Sequence, residues 1–541
     1  MLHVEALHFL LAAFGTQATQ ALPHAPSMHP WVAACLHIDG HQAARLVTAL
    51  LHAVCTRPAL PRGALLYKPP STRAGLLRSA TGTLFKPVAY MASALFARSK
   101  PTSEAAGDKE AAPPTPPPPL PASPLADASV LLLLLLLHVP PSMQGTTPNP
   151  FAVALRDCSD SADAVDVASQ HAAESASAGD PETGGTTNID VPQPDASATL
   201  LTSTAARVSS DALYRALCDG LAAHCDAHML LLHTCLHCSP TLNDAVLERT
   251  DPERLLVPLL SRLDHGGQRD AQYVALVVLL LLSQEPAWHT ALHAAHPTAM
   301  PPDLRRVAHR GQSAGSLLVL VLTRCVARAL SQPGGGDVYL HTSSLAVLAN
   351  AAPHVAGLAA QPSTRLWSLL CALARRSERE AKAGREQQAA LFGDLARLLL
   401  EALNCMLTYA APRNPELVYA LLQRQEALQP MAEHPSLGEL VRNTLAVADW
   451  FAPKLDDARL ASQAQARAWS AGEALECVRL HAASWRADGM RVFEPLRFTY
   501  EEEADPEEFF VPHAWGLVLS AQLPCEWHAA SMLLLPDPSA E

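Results

Sequence analysis

Gly311-Gln312-Ser313-Ala314-Gly315 is the pentapeptide in this chain that most resembles an enzyme's working part. It fits G-x-S-x-G, the elbow that lifts a serine nucleophile above the parallel sheet of an α/β-hydrolase. His265-Gly266-Gly267 upstream has the form of the HGG loop of some lipases. An elbow needs a hydrophobic strand ahead of it. Here the preceding residues are Arg305-Arg306-Val307-Ala308-His309-Arg310, too polar for a central strand, and His265 follows the helical text LVPLLSRLD. No Asp or His downstream ends a credible strand that would complete a triad. The competing reading is a loop and a helix cap, with Ser313 or Ser316 capping a helix over 317–330. A serine esterase using Ser313 is kept as the alternative function, and no catalytic residue is assigned.

A second grouping is Cys235-Leu236-His237-Cys238, with His224, Cys225, His228 and His233 close by. Cys-x-x-Cys with added histidines can hold zinc. These residues lie in Leu-rich helical text with the histidines on different sides, so core cysteines and solvent-facing histidines are expected. The acidic run Glu501, Glu502, Glu503, Asp505, Glu507 and Glu508 lacks the alternating pattern of a calcium loop. It reads as a solvated or partner-facing edge. Gly334-Gly335-Gly336 follows no strand and precedes no Lys-Ser/Thr, so it is not a phosphate-binding loop. The chain is expected not to be an enzyme, with no metal, cofactor or small-molecule substrate.

The elements that carry these residues look helical throughout. Of 541 residues, 49% are hydrophobic and only 5% aromatic, with Leu and Ala dominant and little strand-like alternation. That composition favours an all-α protein. A formal net charge of −13 argues against nucleic acid as the partner. The 12 cysteines are scattered through apolar helical text, as core residues in a reducing compartment are. Residues 1–14 lack the basic start of a signal peptide, and Glu5 and His8 interrupt their apolar run. The apolar runs 130–137 and 273–282 fall short of the roughly 20 residues a membrane span requires and read as buried helices.

Along the chain, 1–100 reads as an N-terminal helical segment whose second part, 62–100, is basic and moderately amphipathic. Arg62, Lys68, Arg73, Arg78, Lys86, Arg98 and Lys100 accumulate there without an acidic residue, as in a segment that lies on an anionic membrane surface. Residues 101–126 form a Pro-rich linker. A helix at 127–138 opens the segment 127–156, with Asp127 or Ser129 as N-cap. The acidic Ser/Ala-rich tract 157–204 has too few bulky apolar residues to offset its ordering entropy and is expected to be disordered. The remainder, 205–541, reads as a helical-repeat domain, with helices at 213–221, 228–237, 242–247, 254–263, 271–282, 316–330, 338–360, 365–376, 391–409, 415–423 and 437–451. The expected fold is a degenerate armadillo- or HEAT-like α-solenoid with long disordered insertions. Within 338–360, Leu345, Leu348 and Ala352 share a face, and Asn350 sits near the apolar side, where it would bond a neighbouring turn. After 497–515, acidic and aromatic, comes a last apolar stretch at 516–523.

Three blocks resemble the dymeclin family. They are Tyr339-Leu340-His341-Thr342 through Leu348-Ala349-Asn350, then Asn414-Pro415-Glu416-Leu417-Val418-Tyr419-Ala420-Leu421-Leu422 followed by His434-Pro435-Ser436, and finally Phe498-Thr499-Tyr500-Glu501-Glu502-Glu503 with Pro506 to Pro512 and Trp515. Weaker matches are 212–218, 249–251 and 123–126, and all occur in the family's order. The resemblance implies a cytoplasmic protein on the cytosolic face of the Golgi apparatus, peripherally attached. It would serve Golgi organisation and vesicle trafficking without enzymatic activity, and meet Golgi or trafficking proteins. The family pattern keeps Gly315-Ser316-Leu317-Leu318 but not Gly311, and holds other residues at the Cys-x-x-Cys positions. Dymeclins are longer at the N-terminus and animal members begin Met-Gly, a myristoylation signal. This chain begins Met1-Leu2, so an N-terminally shortened member is expected, either truncated or lacking the segment in its lineage. Membrane attachment would then rest on 62–100 and on protein partners.

Overall fold

The computed structural model describes residues 1–15, 30–61, 120–139, 148–160, 205–264, 269–309, 311–332, 336–464, 468–487, 490–503, 505–521 and 523. Helix makes up 76% of the described residues and strand 1%, so the fold is all-α. Its described residues group into two compact units. One holds those up to Val246 and from Glu502 onward; the other holds Leu247–Glu501. The basic stretch 62–100, residues 101–119 of the Pro-rich linker, 161–204 of the acidic tract and His265-Gly266-Gly267 lie outside the described residues.

The first unit contains α1 (Leu2–Phe14), α2 (Pro30–Leu36), α3 (Gly40–Thr56), α4 (Pro124–Leu137), α5 (Pro150–Arg156), the strands β1 (Ser159–Asp160) and β2 (Arg207–Val208), α6 (Ser210–Ala222) and α7 (Asp226–Cys238). Helix α8 (Pro240–Leu247) follows at its end. Helix α4 is its centre. Val130 to Leu137 are all buried, because α1, α3 and α7 pack around the helix and leave this part of it no solvent face. Its start corrects the sequence reading. Neither Asp127 nor Ser129 is the cap. Ser123 accepts the Ala126 N–H at 3.4 Å, and Pro124, whose missing N–H costs nothing there, occupies the first helical turn. The helix therefore claims residues assigned to the linker. Asp127 instead pairs with Arg57 at 2.8 Å. Besides the helix expected at 127–138, the segment 127–156 holds a second one, α5, capped by Asn149, whose amide also donates to the Leu136 carbonyl at 2.7 Å. At the near edge of the acidic tract, Ser159 and Asp160 pair in parallel with Arg207 and Val208, so the first residues of 157–204 are ordered.

The second unit contains α9 (Glu253–Asp264), α10 (Arg269–Ser283), α11 (Pro286–Ala294), α12 (Pro302–Val307), α13 (Ala314–Leu330), α14 (Val338–Ala351), α15 (Ala360–Lys382), α16 (Glu386–Ala410), α17 (Pro415–Leu422), α18 (Gln425–Leu428), α19 (Gly438–Ala464) and α20 (Ala471–Ala482). Helices α11, α12, α18 and α20 are additions to the expected set. The packing runs in two rows. In one, α10 meets α14, α14 meets α16 and α16 meets α19; in the other, α9, α13, α15, α17 and α20 follow one another. Hairpins such as α13/α14 and α15/α16 tie the rows together. The final helix, α21 (Glu507–Ser520), belongs to the first unit, packs on α4 and crosses the expected boundary at 515/516.

The helix expected over 338–360 ends early. Leu345, Leu348 and Ala352 are buried as one face, but α14 stops at Ala351 and a 3₁₀ turn carries Ala352–His354. Pro353 has no N–H to continue the helix, and Gly357 takes φ +62°, which a side chain would disfavour. Two buried side chains then satisfy the irregular backbone. Asn414 donates to the Val355 carbonyl at 2.9 Å and accepts the Leu358 N–H at 3.1 Å. The Ser316 hydroxyl donates to Gly357 O at 3.4 Å and accepts from Ala359 N at 3.2 Å.

Among the described residues no single helix is long and apolar enough to cross a membrane. The pair α10 and α11 passes by length and composition only, bent by 102°. Most of α10, including Val274–Leu280 and Leu282, is buried in the second unit.

Candidate functional site

Ser313 is a helix cap. Its hydroxyl accepts the Ser316 N–H at 3.2 Å at the start of α13, and the residue itself is buried. A short helix, α12, and a loop precede it where an elbow requires a strand; the strands among the described residues are the two-residue β1 and β2. Gly311 does turn the loop, at φ +78°, while Gly315 serves packing. A Cβ on Gly315 would lie 2.4 Å from the ring of His293. Burial holds that histidine's pKa down at about 4, against the upward pull of its bond to the Ala356 backbone. The motif thus resolves into a cap and a close approach, with no sheet beneath the serine among the described residues.

The Cys-x-x-Cys lies on one helix, α7. Cys235 is buried, and burial pushes its thiol well above the ordinary range and that of Cys238 up to about 11. Both thiols therefore stay protonated at neutral pH. Among the described residues no group of three or more His, Cys, Asp and Glu side chains is placed to hold a metal ion. The expectation of solvent-facing histidines fails for His228 and His233, each only 1% exposed. His228 Nδ1 meets the Cys225 sulfur at 3.0 Å. His233 stacks on Phe510 of α21 at 4.8 Å between ring centroids and on His237 at 5.8 Å, and His138 stacks on Phe510 at 5.3 Å. Burial pulls His138 down to about 4 and His233 to about 3. Within the acidic run, Glu502 reaches His237 at 3.5 Å, and Glu507 and Glu508 open α21, where the helix dipole favours carboxylates.

A pair of asparagines in the first row of the second unit does more than the sequence suggests, which gives Asn350 only a bond to a neighbouring turn and Asn443 no role. Residues 490–503 run extended, without helix or strand partners. Asn443 of α19 accepts the Arg491 N–H at 2.8 Å and donates to the Arg491 carbonyl at 3.0 Å. Asn350 of α14 does the same to Phe498, accepting its N–H at 2.8 Å and donating to its carbonyl at 2.9 Å. Between them the Tyr409 hydroxyl of α16 donates to the Phe493 carbonyl at 3.4 Å. Each clamp is built from below. The Asn350 amide also donates to Ser283 at 2.9 Å, and the Asn443 amide to Asn404, which itself donates to the Leu440 carbonyl at 3.1 Å. Only the side-chain amide offers a donor and an acceptor in the spacing that pairs with one residue's backbone N–H and C=O.

Asn350 thus does more than bond a neighbouring turn: it joins two of the three blocks quoted above, 339–350 and 498–503. Asn414, in the third, holds the break after α14. The available signal was the occurrence of Asn in otherwise apolar helical text, where a polar group must find a partner. The partner's position, 148 residues away for Phe498, has no local signature.

A family model described as "Dymeclin: Dyggve-Melchior-Clausen syndrome protein" matches residues 1–517. Among curated proteins, Dymeclin of Gallus gallus is 29% identical over 347 residues, covering 61% of this chain and 50% of the relative. Dymeclin of Drosophila pseudoobscura pseudoobscura is 30% identical over 335 residues, 58% of this chain and 46% of the relative. Dymeclin of Dictyostelium discoideum is 22% identical over 422 residues, 61% and 44% respectively. The chain spans about half the length of the curated relatives it matches. No solved structure matches it.

Proposed function

The chain belongs to the dymeclin family, and from that premise we propose that it is a non-enzymatic helical scaffold in Golgi organisation and vesicle trafficking, peripherally attached to the cytosolic face of Golgi membranes. The observation that carries the scaffold reading is the use made of the family-like blocks. They converge on buried asparagines that hold backbone, and the serine of the G-x-S-x-G motif caps a helix. The two rows of helices in the second unit support an armadillo- or HEAT-like α-solenoid as the finer description, since stacked hairpins build one continuous binding face. Its partners would be Golgi or trafficking proteins, with an anionic membrane surface available to the basic stretch 62–100.

The test is localisation. A fluorescently tagged full chain is expected to overlap Golgi markers, and a uniformly diffuse signal would count against the reading. Charge reversal of Arg73, Arg78 and Lys86 is expected to lower the membrane-bound fraction on flotation. Unchanged partitioning would remove the membrane role of 62–100 and leave protein partners to supply the attachment.

A further inference from the structure

The extended segment 490–503 is held as a ligand would be. Both asparagine clamps contact backbone alone, so they read the extended conformation and not a particular side chain. The segment contributes little to any core. Met490 at its start is buried, but no residue from Arg491 to Glu503 is, and Val492 is 60% exposed. The clamps, in contrast, are built into the helices, Asn350 and Asn443 being 8% exposed each. Such a seat is expensive to leave unpaired and indifferent to which chain fills it. Three helices of one row, α14, α16 and α19, therefore form a groove for extended backbone, and the clamped positions lie seven residues apart. One side-chain preference is visible at its α19 end, where Glu439 pairs with Arg491. The Arg491 guanidinium in turn lies over the Phe493 ring, 5.5 Å from its centroid.

We infer that this groove is a docking site for an extended segment of a partner protein, and that residues 490–503 occupy it in cis as a displaceable stand-in. The partner segment carries a basic residue at the Asn443 clamp, to meet Glu439, and a residue other than proline at the Asn350 clamp, because each clamp needs an N–H. Proline is tolerated between the clamps, as Pro495 is in the resident segment. The inference rests on the scaffold reading and gives that scaffold a surface and a class of partner. Its test is separate from localisation: a chain that reaches the Golgi with an inert groove would overturn only the docking site.

The probe is a labelled peptide of residues 490–501, MRVFEPLRFTYE, titrated into the full chain by fluorescence anisotropy. The resident segment is released by Arg491→Pro with Phe498→Pro, which removes both clamped N–H groups. A tethered competitor at an effective concentration on the order of millimolar holds off a peptide of micromolar Kd by roughly a hundredfold or more. The released chain is thus expected to bind the peptide at least about a hundredfold more tightly than the unaltered chain. Adding Asn350→Ala and Asn443→Ala to the released chain is expected to abolish that binding. A released chain that keeps its helical circular dichroism yet ignores the peptide overturns the inference, and so does binding that survives loss of both asparagines. A concentration-dependent dimer of the unaltered chain in sedimentation, with the segments exchanged between copies, assigns the groove to a second copy and overturns it as well. Should the proline variant lose its helicity, hydrogen exchange on the unaltered chain decides. The Arg491 and Phe498 amides are expected to exchange by local opening, well ahead of Leu348 in α14 and Val447 in α19. Equal protection of segment and helices means that the segment is structural and the inference fails.

Discussion

At the scale of single residues, the same side chain types that suggest chemistry in the sequence serve termini and packing in the fold. Ser313→Ala is expected to cost about 1 kcal/mol through loss of the α13 cap, and Ser313→Asp to keep most of that stability. Thermal denaturation measures both, and neither variant should differ from the unaltered chain in labelling by a serine-directed fluorophosphonate. Labelling lost only on removal of Ser313 would revive the esterase reading. The buried histidines set a pH dependence. Burial holds His138, His228, His289 and His293 at about 4 and His233 at about 3, all below the ordinary 6.5. Between pH 6.5 and 4 the unfolded chain therefore binds more protons than the folded one, so stability falls as pH drops. The slope is up to about 1.4 kcal/mol per pH unit for each such histidine. Asp251, held low by Arg249, and Glu502, held low by His237, lose their stabilisation in the same direction as pH falls further. Urea denaturation at pH 7.5, 6 and 5 is expected to show a steep loss of stability. A flat profile would mean that these rings are open to water.

At the scale of elements, the boundaries are set by caps and by distant polar groups more than by the apolar stripes. Helix α14 shows this. Its apolar residues would continue past Ala352, but Pro353 ends the ladder and Asn414 and Ser316 take over the freed backbone. The helix is buried on nearly every side, so its hydrophobic residues alone do not say which face carries function. Asn350→Ala removes two bonds to Phe498 and one to Ser283, at an expected cost of about 1–3 kcal/mol. Asn350→Asp is expected to be at least as damaging, because it sets a second acceptor against the Phe498 carbonyl. If Asp were tolerated like Asn in thermal denaturation, the clamp geometry would be wrong. Helix α4 carries the converse lesson, since its start at Pro124 was hidden by the Pro-rich text before it, although Ser-Pro is a regular way to begin a helix.

At the scale of the whole molecule, the chain is assembled across sequence gaps. Ser159 and Asp160 pair with Arg207 and Val208, and the Arg207 N–H donates to Thr48 at 3.0 Å. These contacts close the ends of the acidic tract on themselves. Replacing 163–203 with a Gly/Ser linker of about ten residues is therefore expected to leave the far-UV helical spectrum and melting temperature nearly unchanged. A cooperative loss of helix would show that the excised residues belong to the core.

The sequence by itself determined the helical class, through Leu- and Ala-rich text at helical spacing, and with it most helix positions from α6 onward. Three blocks in the family's order also made the family legible. Local rules govern these features, and local rules are written in neighbouring residues. Tertiary structure alone decided that α21 belongs with α4, that His233 is a core residue under Phe510, and that Asn350 and Asn443 grip residues 498 and 491. Those outcomes depend on which surfaces meet after long stretches of chain have closed. A buried amide announces in sequence that it needs a partner, but only the packed rows of helices say which backbone it holds.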